Sequence, residues 1–295
     1  MTDPLLPGPL VDDTWLAARL DDPRLVVLDA TTLLPSPRHD GDHRSASGRA
    51  GWAERHIPGS RHADLTGDLS DHDAPYHFAV PAPGALAAAL QRLGVRDGSE
   101  VVVYDNGGGI WAARLWWMLR SISVPAAVLD GGWQAWEAGG RPVAHGDDDT
   151  GAVPGAAHLT PVPRPEMWTS LREVEAVHRG ERPGVLVCAL PPGGFDGSAV
   201  TRYSRRGHIP GSLSLPGRGL LDGTGRFLPA AELSAQVGAA LQDAGSPVVL
   251  YCGGGISAAG TALALTLLGR DDVTLYDGSL EEWTQDPSRP VTTGG

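Results

Sequence analysis

Short apolar runs alternate with segments of helical periodicity along this chain. Runs of four or more mainly apolar residues occupy positions 25–29, 100–104, 185–188 and 247–251. Residues 14–20 have the spacing of a helix, and Ser170 and Glu173 are spaced as a helix capping box. Uninterrupted apolar strands between helices are typical of a parallel sheet that is covered on both faces. The pattern predicts an α/β protein whose ligands bind at the carboxyl ends of the strands.

The same pattern occurs twice. His-Ile-Pro-Gly-Ser stands at residues 56–60 and again at 208–212, and an apolar strand followed by glycines ends at Asp105 and again at Cys252. Because these repeats are far longer than those of a solenoid, they indicate duplicated domains. Residues 142–165 contain five prolines, three glycines and an acidic run, which favours an extended linker. We therefore predict domains at 1–143 and 166–295, joined by a linker at 144–165.

The composition excludes several classes of function. The chain has 295 residues and a net charge of −12, and all 23 basic residues are arginine, so chemistry that needs a lysine is excluded. An acidic chain without a long basic run is a poor binder of nucleic acid or anionic membranes. Two cysteines provide no disulfide framework, no signal peptide is evident, and no apolar run approaches the roughly 20 residues that span a bilayer. We expect a cytoplasmic protein.

The candidate chemistry lies at Cys252. The sequence Cys-Gly-Gly-Gly-Ile-Ser-Ala at residues 252–258 joins a strand to a helix of small residues. Glycines let such a loop point its N–H groups inward, and the helix N-terminus adds a partial positive charge. A thiol there favours its thiolate form and becomes a nucleophile inside an anion pocket. The alternative is a buried cysteine that acts only as a small hydrophobic residue. A tyrosine phosphatase is disfavoured, because Ala258 replaces its phosphate-binding arginine.

This loop resembles the Cys-x-x-Gly-x-Ser/Thr-Ala active-site pattern of two-domain rhodanese-like sulfurtransferases, the thiosulfate/3-mercaptopyruvate sulfurtransferase family. It is more similar to the mercaptopyruvate branch, Cys-Gly-Ser-Gly-Val-Thr-Ala, than to the thiosulfate branch. Both His-Ile-Pro-Gly motifs match as well, as do residues 114–120, 128–133 and 276–291. The resemblance implies tandem rhodanese-like α/β domains, each a central parallel sheet flanked by helices. The second would be catalytic, and the first non-catalytic, with Asp105 at the nucleophile position.

The resemblance also implies a reaction. Cys252 would take a sulfane sulfur from a small donor of the thiosulfate or 3-mercaptopyruvate type and hold it as a persulfide. A thiol, cyanide or a sulfur-carrier protein would then accept the sulfur, with no metal or organic cofactor. The loop residues that would stabilise the persulfide are Gly253, Gly254, Gly255, Ile256 and Ser257.

The substrate-binding residues depart from the family pattern. Leu190 and Asp196 stand where arginines that bind the donor are expected, and Gly254 replaces a loop serine. Arg202, Arg205 and Arg206 are candidates to compensate, with a solvated loop charge as the alternative for each.

Three further side chains have competing interpretations. His56 is a candidate orienting group that faces the site from the first domain, with a structural role as its alternative. Trp111 lies near the first-domain loop and is a candidate for lining the cleft. Cys188 is interpreted as a buried core residue, with a resolving thiol as the alternative.

The leading hypothesis is a sulfurtransferase that uses a Cys252 persulfide. The missing arginines motivate a second hypothesis, a low-activity rhodanese module that relays sulfur between proteins. A third is nucleophilic chemistry of Cys252 on a specialised-metabolite substrate.

Overall fold

The first repeat folds into an α/β unit around a parallel sheet. A computed structural model describes residues 3–146, 158–241 and 246–294, without the side chains of 239 and 240. The sheet has the strand order β1-β7-β6-β2-β5. Its strands are β1 (Leu10–Val11), β2 (Leu25–Asp29), β5 (Arg61–His62), β6 (Glu100–Tyr104) and β7 (Ala126–Leu129), and β3 (Thr32–Leu33) pairs antiparallel with β4 (Ala46–Ser47). The helices are α1 (Asp13–Ala17), α2 (Arg49–Glu54), α3 (Pro83–Arg92), α4 (Ile110–Ser121) and α5 (Gly132–Ala138).

The second repeat has the same topology. Its parallel sheet runs β10-β9-β11-β12-β8, which is the order of the first sheet read from the other edge. The strands are β8 (Trp168–Thr169), β9 (Val185–Cys188), β10 (Leu213–Ser214), β11 (Val248–Tyr251) and β12 (Val273–Tyr276). The helices are α6 (Leu171–His178), α7 (Pro192–Phe195), α8 (Ala230–Leu241), α9 (Ile256–Leu267) and α10 (Ser279–Trp283). The predicted tandem α/β architecture is confirmed, and so is the capping box of α6.

The two domains share one core. Every residue of the central strands β6 and β11 is buried, as expected for strands covered on both faces. Helix α4 is buried along nearly its whole length and packs against α9. Side chains from both domains, including Trp117 of α4 and Leu263 of α9, belong to a single hydrophobic cluster. The outer face of each sheet packs into its own smaller cluster. The helices that follow Asp105 and Cys252 therefore form the contact between the domains.

A tyrosine explains why His-Ile-Pro-Gly-Ser occurs in both halves. In the first domain, the hydroxyl of Tyr104 accepts the N–H of Ile57 at 3.3 Å and bonds Ser60 at 2.9 Å. In the second domain, the Tyr251 hydroxyl accepts the N–H of Ile209 at 3.0 Å and donates to the serine hydroxyl at 2.7 Å. Each motif therefore fastens the chain to the end of the central strand, next to the functional loop.

The described part of the predicted linker is hydrogen-bonded to the first domain. Val162 N–H donates to the Ile122 carbonyl at 3.1 Å, and Arg164 N–H donates to the Ser121 carbonyl at 2.7 Å. Residues 147–157, which include the acidic run, lie outside the described residues. The domain limits at 143 and 166 stay a prediction. Among the helices of the described residues, none is long and apolar enough to cross a bilayer.

The two tyrosines should contribute equally to stability. We expect Tyr251→Phe and Tyr104→Phe each to lower the free energy of unfolding by about 1–3 kcal/mol, because each leaves a buried isoleucine N–H without its acceptor. Urea unfolding followed by tryptophan fluorescence measures both losses. Tyr203→Phe is the control, since none of the described hydrogen bonds involves its hydroxyl. Wild-type stability in Tyr251→Phe would contradict the assignment.

Candidate active site

Cys252 lies at the carboxyl end of β11, the central strand of the second sheet. Its side chain is 2% exposed and borders a cavity of about 260 Å³. Asp105 occupies the same topological position after β6 in the first sheet. Parallel α/β proteins bind their ligands at these carboxyl ends of the strands.

The loop after Cys252 is held from below by the start of α10. The hydroxyl of Ser279 accepts the N–H groups of Cys252 and Gly255 at 3.1 and 3.0 Å, and donates to the Tyr276 carbonyl at 2.9 Å. Gly255 has a φ of 75°, and a Cβ there would lie 3.0 Å from the Arg114 guanidinium and from a backbone oxygen. Glycine is therefore required at this position both by the backbone conformation and by the close packing.

The first domain shows what such a loop binds. The carboxylate of Asp105 accepts four backbone N–H groups, those of Gly107, Gly109, Trp111 and Ala112, at 2.6–2.9 Å. The first-domain loop thus wraps an anion supplied by its own chain. This arrangement is the anion cradle formed by a glycine-rich turn and a helix N-terminus.

The second domain leaves four of its loop N–H groups without a hydrogen-bond partner among the described residues. The loop is one residue shorter, since α4 begins five positions after Asp105 and α9 begins four positions after Cys252. No hydrogen bond within the described residues engages the N–H groups of Gly253, Gly254, Ile256 or Ser257. A negative charge on or beside the Cys252 sulfur therefore finds unpaired donors.

The cavity lies between the two domains. Leu34, His43 and Phe78 of the first domain line one side. The second domain contributes the Cys252 loop and a mainly apolar wall: Leu190, Pro191, Gly193, Gly194, Ala199, Val200, Thr201, Tyr203 and Ile256. Arg202 and Glu281 are the charged side chains among the described lining residues.

Comparison with known proteins identifies the architecture. The rhodanese-like domain family matches residues 12–139 and 195–286. The chain belongs to the rhodanese-like sulfurtransferase family. It is 37% identical to the "Probable 3-mercaptopyruvate sulfurtransferase" of Pseudomonas aeruginosa, covering 95% of this chain and 96% of that protein. It is 34% identical to the "Putative thiosulfate sulfurtransferase SseB" of Mycobacterium tuberculosis, over 84% and 86% of the two chains.

A solved structure agrees with this assignment. The crystal structure of SseA from Escherichia coli, described as a 3-mercaptopyruvate enzyme with the rhodanese fold, superposes with a TM-score of 0.75 at 30% identity. The superposition covers 92% of this chain and 98% of SseA. The agreement spans both domains of this rhodanese-like protein.

Of the three candidate arginines, Arg202 lines the cavity. One of its terminal nitrogens donates to the carbonyls of Leu34 and Pro35, at 3.2 and 2.7 Å, and so reaches across to the first domain. Its Nε is buried and has no hydrogen-bond partner within the described structure. A buried donor without an acceptor is costly, and an anionic ligand in the cavity would supply one.

Arg205 and Arg206 lie outside the described cavity lining, in contrast to the sequence expectation. Arg205 donates to three backbone carbonyls between residues 284 and 289, at 2.8–3.2 Å, and so holds the C-terminal segment. Arg206 pairs with the carboxylate of Asp40 at 2.9 Å, and both side chains are more than one-third exposed. The guanidinium groups are thus occupied by protein acceptors.

His56 and Trp111 are core residues and do not line the cavity. His56 is 4% exposed, stacks on Trp52 and bonds the Trp52 carbonyl at 2.9 Å. His208 makes the equivalent contacts to Phe195 in the second domain. Trp111 packs edge-on against Phe78, with ring centroids 5.1 Å apart. It therefore supports a cavity wall from behind.

The positions that depart from the family pattern separate in space. Leu190 lines the cavity, whereas Asp196 lies outside the lining and its carboxylate accepts the N–H of Ser198 at 2.8 Å. Asp196 therefore does not contribute its charge to the described lining of the cavity. Cys188 is fully buried, and burial raises the pKa of its thiol to about 12. It is protonated at neutral pH, as suits the core residue predicted from sequence.

Two residues at the cavity carry little signal in the sequence. Glu281 is 15% exposed at its side chain, and burial raises the pKa of its carboxyl. Its backbone N–H donates to the Gly253 carbonyl at 2.9 Å, and a Cβ on Gly254 would lie 3.4 Å from its carboxylate. His43 reaches the cavity from a first-domain loop that is distant in sequence. A Cβ at position 254 would therefore contact the Glu281 carboxylate at an ordinary van der Waals distance.

A buried ion pair joins the domains beneath the loop. Arg114 of α4 is 0% exposed and lies 2.6 Å from the carboxylate of Asp277, which follows β12. The guanidinium also donates to the Phe78 carbonyl at 2.7 Å and stacks over Trp168. The second Asp277 oxygen accepts the N–H of Val80 at 2.8 Å. The pair therefore fixes first-domain backbone against the floor of the active site.

Removing the buried cation should destabilise the protein strongly. We expect Arg114→Met to lower the free energy of unfolding by about 3–5 kcal/mol, because the Asp277 carboxylate stays buried without its partner. Arg206→Met breaks an exposed interdomain pair and should change the free energy of unfolding by only about 0–1 kcal/mol. Urea unfolding compares the two variants. Equal losses of unfolding free energy in the two variants would contradict a larger contribution from the buried Arg114–Asp277 pair.

Proposed function

We propose that this rhodanese-like sulfurtransferase carries sulfane sulfur as a persulfide on Cys252. The observation that carries the proposal is the pair of equivalent loops. The first-domain loop binds the Asp105 carboxylate through four N–H groups, whereas the second places a thiol at that position and leaves its loop donors open. Such donors stabilise negative charge on a sulfur that is bound to Cys252.

The reaction has two displacement steps. The Cys252 thiolate attacks the transferable sulfur of the donor, the donor's bond to that sulfur breaks, and its electron pair leaves with the remainder of the donor. The product on the enzyme is a Cys252 persulfide. An acceptor thiolate or cyanide then attacks the outer sulfur, and Cys252 leaves as the thiolate. No net oxidation occurs, and a proton is required only where the released fragment takes one up.

The cavity favours a donor of the 3-mercaptopyruvate type. Arg202 is the cation among the described lining residues, and its unpartnered Nε suits a single carboxylate. The remaining wall is mainly apolar, and the Glu281 carboxylate disfavours additional negative charge. A singly charged donor with a small carbon skeleton fits this balance better than the dianion thiosulfate. The cavity suits small acceptors such as cyanide or a low-molecular-weight thiol, and the exposed thiol of a carrier protein is a further acceptor class.

The persulfide should form on Cys252 alone. After incubation with 3-mercaptopyruvate, we expect intact-protein mass spectrometry to show the gain of one sulfur atom in the wild type and in Cys188→Ser. Cys252→Ser should gain none, because its hydroxyl is a poor nucleophile toward sulfur. A gain that survives in Cys252→Ser would overturn the proposal. Sulfur loading only from a partner protein would move the assignment to the relay hypothesis.

Arg202 should govern donor affinity. We expect Arg202→Met to raise KM for 3-mercaptopyruvate by about tenfold to a hundredfold, since a charge-assisted hydrogen bond contributes about 1.5–3 kcal/mol. Arg206→Met is the matched control, because its guanidinium lies outside the described lining. Steady-state assays of both variants decide the point. An unchanged KM in Arg202→Met would exclude Arg202 as the donor's anion site.

A further inference from the structure

Three side chains of types that ligate metals meet beside the Cys252 cavity. They are His43, His77 and Glu281, and one ligand atom from each lies within 4.8 Å of the other two. His43 and His77 belong to separate loops of the first domain, whereas Glu281 belongs to α10 of the second. His43 and Glu281 also line the cavity. The cluster therefore spans both the domain boundary and the route to the nucleophile.

The donor set is one that a divalent transition metal prefers. Two imidazole nitrogens and one carboxylate are a common three-ligand set for Zn²⁺, with a fourth position left for water or substrate. His43 and Glu281 are partly buried at the cavity wall, and His77 is exposed beside them.

The contacts in the cluster leave its ligand atoms accessible. No hydrogen bond within the described residues involves the ring nitrogens of His43, and that ring stacks on His77 with centroids 3.6 Å apart. His77 bonds the Glu281 carboxylate through Nδ1, and its side chain is 53% exposed. Coordination requires the stacked rings to turn so that their nitrogens converge. The exposure of His77 leaves room for this rotation.

We propose that His43, His77 and Glu281 bind one divalent ion of the Zn²⁺ class, which links the two domains and closes the entrance to Cys252. This ion controls access to Cys252 and takes no part in the sulfur-transfer steps. The metal site does not depend on the sulfurtransferase reaction. If an experiment excluded either one, the other would not be affected.

The binding test uses tag-free Cys252→Ser protein, so that the nucleophilic thiol cannot hold the metal. After removal of metals with a chelator, calorimetric titration with Zn²⁺ should show one ion per chain. Placing Glu281→Gln or His77→Gln in this background should weaken the affinity by about tenfold or more, because each change removes a ligand.

His72→Gln is the matched control, since His72 is an exposed histidine in the same first-domain loop as His77. It should leave both the stoichiometry and the affinity unchanged. Absence of stoichiometric binding would overturn the proposal. So would equal affinity in the Glu281→Gln, His77→Gln and parent proteins.

Access to the cavity gives a second readout, in protein that retains Cys252. Saturating Zn²⁺ should slow alkylation of Cys252 by iodoacetamide in the wild type, and the slowing should disappear in His77→Gln. If Zn²⁺ slows alkylation equally in His77→Gln, the thiol itself holds the ion and the three-residue site is wrong. The rate without Zn²⁺ is measured for each protein as its own reference.

Discussion

The arrangement of this active site depends on the buried ion pair between Arg114 and Asp277. A fully buried guanidinium is costly unless its charge is paired. Here one terminal nitrogen of Arg114 lies 2.6 Å from the carboxylate of Asp277, which follows β12, and donates to the Phe78 carbonyl of a first-domain loop. The Nε and the other terminal nitrogen have no hydrogen-bond partner within the described residues, so the Asp277 charge is the main compensation for burying this cation. The backbone that carries Phe78 also forms one wall of the cavity. The same pair thus joins the domains, supports the cavity wall and packs against Gly255 beneath the nucleophile.

The duplicated fold separates a structural use of the glycine-rich loop from a chemical one. In the first domain, the Asp105 carboxylate is buried and bound by four loop N–H groups, so the loop is satisfied within its own chain. In the second domain, a cysteine stands at that position, and Gly253, Gly254, Ile256 and Ser257 line the cavity with N–H groups that no hydrogen bond within the described residues engages. The first domain remains necessary, because its helix α4 supplies Arg114 and its loops supply His43 and Phe78.

The sequence was sufficient to predict the fold and the position of Cys252 at the end of a central strand, but not the side chains that line the cavity. Apolar runs such as 100–104 and 247–251 predict buried strands because side-chain burial is a local requirement of such a sheet. The position of Cys252 follows from the same strand. Arg202, Arg205 and Arg206 could not be separated in this way, since all three lie in one short loop with similar local sequence. Their roles are decided by distant partners: the Leu34 carbonyl, the C-terminal carbonyls and Asp40, respectively.

Two of the departures from the family pattern, Leu190 and Gly254, lie at the cavity and affect its charge balance. The mercaptopyruvate-like loop pattern has a serine where this chain has Gly254, and that replacement removes a side chain next to Glu281. The buried Glu281 carboxylate occupies the space beside the loop and brings a negative charge to the cavity. A second negative group on the ligand would therefore face both Glu281 and the loss of an arginine at Leu190. Because Arg202 and Glu281 are the charged side chains among the described lining residues, we expect discrimination among donors to depend on how many negative charges each one brings to the cavity.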